Sequence, residues 1–180
     1  MSLRCKLSAR SWWADAAGAA AVEFALVLPL LALIYLGGFE ASQAVAANRK
    51  VSDTTVELAN ITSQYATMSA ADVSNVLNAS AQIMTPYTTT SLKIVLSEVT
   101  TDANGVASVT WSQTYQGTAR ATGSAVALPA GLGTPNTSFV MVETSYTYVP
   151  TVGAAFFGSV PMSDRIFILP RQSSNIPYTG

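Results

Sequence analysis

The chain has 180 residues, and 49% of them are apolar while only 11% carry charge, well under the roughly 25% charged residues of ordinary soluble domains. Net charge is −1, so there is no basic excess of the kind nucleic acid requires, and no nucleic-acid partner is expected. There is no histidine, and the one cysteine is Cys5, which removes His-dependent nucleophilic catalysis and the commonest zinc ligand and leaves no disulfide to form.

Residues 1–18 form a short leader. Arg4, Lys6 and Arg10 are basic, and only Asp15 opposes them. Positive charge before an apolar run favours a cytoplasmic N-terminus. Trp12 and Trp13 are placed to anchor at a membrane interface.

An apolar stretch follows, with one interruption. From Ala19 to Phe39 there are 21 residues, and Glu23 is the charged one among them. As a helix this length spans about 31 Å, the thickness of a bilayer core. We therefore expect a transmembrane helix over residues 19–41. A secretory signal competes with this reading, but Phe39-Glu40-Ala41 is a poor small-x-small cleavage site.

A charged side chain deep in a bilayer costs about 2.5–3.5 kcal/mol on insertion scales, so Glu23 asks for an explanation. It lies five residues after Gly18. A cut after Gly18 would leave a charged amine on Ala19, one helical turn from Glu23. Snorkelling to the headgroups is the alternative, but it leaves Gly18 and the basic leader without a role. Pro29 lies inside the run and removes one helical hydrogen bond, which invites a kink.

The basic leader, Gly18-Ala-Ala-Ala-Val-Glu-Phe-Ala-Leu-Val-Leu-Pro29 and the apolar run to Phe39-Glu40 resemble the TadE/TadG-like family. Its members are minor pilins, or pseudopilins, of the tight-adherence (Tad/Flp) type IV pilus. The resemblance covers about residues 10–41. It implies cleavage between Gly18 and Ala19 by a prepilin peptidase, with Glu23 fifth in the mature chain as the membrane-embedded assembly carboxylate. Phe24, the neighbour in the processing motif, stands where processed Tad pilins commonly carry Tyr. The implied partners are the prepilin peptidase, other pilins and minor pilins, the inner-membrane Tad assembly platform and membrane lipid. The implied location is the bacterial inner membrane, crossed once, with the C-terminal domain in the periplasm. No cofactor is implied, and no catalytic or metal-binding residue is assigned. The alternative is a membrane-anchored periplasmic binding or adhesion module that is not a pilus subunit.

Residues 42–84 read as a helical periplasmic region. Val51, Leu58, Ile61, Tyr65 and Met68 repeat at helical spacing and form a seam, either against the chain's own body or against a neighbouring subunit. Ser69-Ala-Ala-Asp72 is a capping-box pattern that opens a second helix over residues 70–84, with Val73, Val76, Leu77, Ser80, Ile83 and Met84 on one face. Pro86 ends it.

Residues 85–171 read as a β-rich domain. Leu92, Ile94 and Leu96 begin a strand, Ala103-Asn104-Gly105 turns the chain, and Val106 to Tyr115 returns it, giving a β-hairpin. Residues 117–137 are expected to be a loop with a helical turn around Val126. Phe139–Val149 and Arg165–Leu169 are the remaining expected strands, each stopped by a proline. Phe156 and Phe157 are expected in the core or in a docking patch. Residues 172–180 are expected to be a loose tail. The fold class is therefore α+β: a long N-terminal helix, a second helix and a small antiparallel sheet, the outline that the family resemblance implies for a pilin-like fold.

Overall fold

The computed structural model describes residues 16–152, 154 and 158–180. The leader up to Asp15, and the pair Phe156 and Phe157, lie outside the described residues. The chain divides into two units, which meet in sequence at Ser42 and Gln43. The architecture is α+β.

Helix α1 is Ala16–Thr62 and contains Pro29. Within the first unit its apolar side chains are exposed on every face, Phe24, Leu26, Leu28, Leu31, Ile34 and Tyr35 among them. Its apolar window has a mean hydropathy of 2.3, and the helix is long enough to cross a membrane. Water does not tolerate so large an apolar surface, whereas lipid does.

In the second unit α1 becomes one-sided. Ala47, Val51, Leu58 and Ala59 are fully buried, and their spacings of four, seven and one place them on one helix face. Thr54 and Thr55 go in with them, and their hydroxyls donate back to the Lys50 and Val51 carbonyls at 2.8 Å. The expected seam is thus packed on the chain's own body, with two corrections. Ile61 is at the surface, and Tyr65 and Met68 lie beyond the helix, Met68 in a strand, because α1 stops at Thr62.

That strand, β1, is Met68–Ser69. Ser69 then caps α2, Ala70–Ala81: Asp72 N–H donates to the Ser69 hydroxyl, and Ser69 N–H donates to the Asp72 carboxylate at 3.0 Å. This is the reciprocal arrangement that the sequence pattern predicts. A 3-10 turn, Gln82–Met84, finishes the element. Val73, Val76, Leu77, Ser80 and Met84 are buried as expected; Ala81 joins them, while Ile83 is only partly covered.

Strands β2 (Lys93–Thr101), β3 (Ala107–Tyr115), β4 (Ala125–Val126), β5 (Ser138–Tyr148) and β6 (Val160–Ile168) form one antiparallel sheet. Their order is β4-β3-β2-β5-β6. The β2–β3 hairpin closes through Asp102, whose carboxylate accepts from the Asn104 and Val106 N–H groups at 2.8 Å. Gly105 has φ +78, and a Cβ there would stand 2.7 Å from the Gly133 carbonyl oxygen. Only glycine fits. A bulge at Glu98/Val99 shifts the register.

One sheet face, with Ile94, Leu96, Trp111, Val140, Val142, Tyr146 and Met162, joins the helices in the main core. The other face has a smaller cluster of Val99, Ala107, Val109, Val126 and Met141.

Three expectations are corrected. Val126 is not in a helical turn: Ala125 and Val126 pair with Ser108 and Ala107 as β4, so backbone bonding to the sheet edge decides the conformation. Strand β6 begins at Val160, before Arg165. Residues 172–180 are not loose: Ile176 is 0% exposed, and β7 (Tyr178–Thr179) pairs in parallel with β1. The Trp111 indole N–H donates to the Ile176 carbonyl at 2.7 Å, and the Trp111 and Tyr178 rings stack.

Candidate assembly segment

Gly18, Ala19, Glu23, Phe24 and Pro29 all lie on the exposed part of α1. The Gly18–Ala19 peptide bond falls within the first turn of the helix. Ala19 and Glu23 stand four residues apart, so their side chains share one face. The helix therefore offers a carboxylate on a lipid-compatible surface, with a potential amine position one turn away.

Residues 18–59 match a family model described as TadE-like protein. They are a TadE-like segment. The match supports membership of the TadE/TadG-like family, and it runs from Gly18 through the apolar stretch into the buried face at Leu58. No curated protein and no solved structure matches the chain.

Beyond the TadE-like segment, the structure assembles two polar clusters that the sequence does not announce. In the first, Arg120 forks onto Glu143: Nε donates to one carboxylate oxygen at 2.6 Å and an η nitrogen to the other at 2.8 Å. Arg165, opposite Glu143 in the β5–β6 register, adds an ion pair at 2.6 Å. The hydrogen bond from Arg120, aided by the charges of both arginines, holds the Glu143 carboxyl below its ordinary value, against the effect of burial. Glu143 in turn raises Arg120 through the same hydrogen bond. This cluster ties the chain at Arg120 to the outer sheet face.

In the second, Glu98 is buried at 1% exposure. It accepts from the Ser138 hydroxyl at 2.7 Å and from the Ile176 N–H at 2.6 Å. It occupies the position after Ile94 and Leu96 on the core face, so a strict alternation would have pointed to it. Both clusters position chain segments. Among the described residues there is no grouping of His, Cys, Asp and Glu that could hold a metal ion.

Proposed function

We propose that the chain is a TadE-like minor pilin, or pseudopilin, that takes part in assembly of a Tad/Flp pilus. In this reading a prepilin peptidase cuts after Gly18, and the chain crosses the bacterial inner membrane once, with its N-terminus cytoplasmic and its body in the periplasm. It is a structural subunit and not an enzyme. Its partners are other pilins and minor pilins and the inner-membrane assembly platform. The observation that carries the reading is the match over residues 18–59, which spans a helix that is exposed and apolar yet keeps a carboxylate at Glu23.

The role of Glu23 follows from the cost of charge in lipid. A carboxylate there is unfavourable unless it meets a cation. The amine of a cleaved Ala19, its own or a neighbour's, is such a cation. Pairing across subunits then couples processing to association, because the amine exists only after the cut.

Replacing Glu23 tests this directly. Glu23→Leu removes the insertion penalty, so the protein inserts at normal level, but it should fail to support piliation and lose its crosslinks to other pilins. Glu23→Gln should fail as well, since the charge is missing. Normal piliation with Glu23→Leu at normal protein level would favour the plain-anchor reading, a periplasmic binding module held by its helix.

A further inference from the structure

Sheet proteins that assemble can do so by adding strands at an open edge. Strand β6 is the last in the order of the sheet, and among the described residues nothing pairs with its outer side. The direction of its backbone groups can be worked out. The Ser91 hydroxyl donates to the Thr147 carbonyl at 2.8 Å, and the Thr147 N–H donates back to it at 3.3 Å. Ser91 precedes β2, so the backbone groups of Thr147 face β2 and turn away from β6. Directions alternate along a strand, so Met141, Glu143 and Ser145 do the same. Their partners Phe167, Arg165 and Ser163, with Pro161 opposite Thr147, are then the β6 residues whose backbone groups face outward.

Two of those four positions have no N–H to offer. Pro161 has none by chemistry. The Arg165 N–H is already occupied: it donates to the carboxylate of Asp164, its neighbour, at 2.8 Å. Ser163 and Phe167 keep theirs. An added strand would find every second donor missing along the edge. At the other end of the sheet, β3 is covered over Ala107–Val109 by the 123–126 segment: β4 pairs there, the Gly123 N–H donates to Val109 at 2.8 Å, and the Val109 N–H donates to Ser124 at 3.0 Å.

We infer that Pro161 and the Asp164 cap on the Arg165 N–H close the β6 edge to strand addition, so copies of this chain do not join through β6. This holds whether or not the chain is a pilus subunit.

The test uses the full chain in detergent, with Cys5→Ser and Ser163→Cys to place one thiol on the edge. A short bismaleimide then reports edge-to-edge pairing. The native edge should crosslink weakly, and Pro161→Thr with Asp164→Ala should raise the dimer fraction about tenfold, since each pairing regains several hydrogen bonds. Amide exchange gives a second reading that needs no dimer. The Arg165 amide should exchange more slowly than those of Ser163 and Phe167, and Asp164→Ala should remove the difference. Strong crosslinking through the native edge, no rise in a folded double variant, or an Arg165 amide as fast as Ser163 would each overturn the inference.

Discussion

Between Val22 and Leu36 the helix shows apolar side chains on all sides. Between Ala47 and Thr62 the same helix buries Ala47, Val51, Leu58 and Ala59 on one face and lines the other with Arg49, Asp53 and Glu57, with Val56 and Ile61 at the surface. The contrast shows what each part is built against. The first part suits a solvent that is itself apolar, where burial inside the protein gains nothing. The second is built against water, and its stability comes from removing apolar surface, about 1.5–3 kcal/mol for each large side chain fully covered. The carboxylates differ in the same way. Glu98 and Glu143 meet donors from their own chain, whereas Glu23 lies on the exposed surface of α1.

Substitutions can break or sharpen this contrast. The largest effect is expected at Ile176, whose side chain is fully buried although it lies close to the C-terminus. Ile176→Ala should destabilise the body by about 2–5 kcal/mol, seen as a lower midpoint in denaturant. A change within experimental error would mean that the tail is not part of the core.

A smaller effect should come from acid. The Glu143 carboxyl is held below its ordinary value of 4.5 by the Arg120 hydrogen bond. A depressed carboxyl stabilises the fold above that ordinary value and loses the contribution as pH falls through the lower, folded-state value. The unfolding midpoint should therefore drop below pH 4.5, and Glu143→Gln should flatten that part of the profile. An unchanged slope in the variant would remove Glu143 from the account.

The smallest effect is expected in the exposed part of the helix. Leu28 is 48% exposed, so Leu28→Ala should change the stability of the body by less than about 0.5 kcal/mol in detergent. A cost like that of Ile176→Ala would show that the first unit is packed rather than lipid-facing.

Local signals explain what could be read from the sequence. The apolar run, the Ser69–Asp72 cap, the Asn104-Gly105 turn and the alternation in β2, β3 and β5 are each set by neighbours a few residues away, so the chain displays them directly. What was missed depends on distant partners. Strand β4 is two residues long and exists because Ala107 and Ser108 lie beside it. Pro161 hides the start of β6, since a proline reads as a strand breaker, yet at an outward-facing edge position its missing N–H breaks no ladder bond. In the tail the hint was slight: Ile176, Pro177 and Tyr178 form an apolar patch among polar residues, but the Glu98 carboxylate and the Trp111 indole that hold it come from far along the chain. Arg120 and Glu143 meet only once the register is fixed. The assembly segment was the reverse case, because Gly18, Ala19 and Glu23 are related by spacing along a single helix.

The central claim is that the TadE-like segment is processed and that processing creates the partner for Glu23. The most direct measurement is the intact mass of the protein, with its N-terminal peptide, purified from cells with an active prepilin peptidase. The account predicts a chain that begins at Ala19, and a Gly18→Asp variant that keeps its leader. A native protein that retains residues 1–18 in those cells would contradict it.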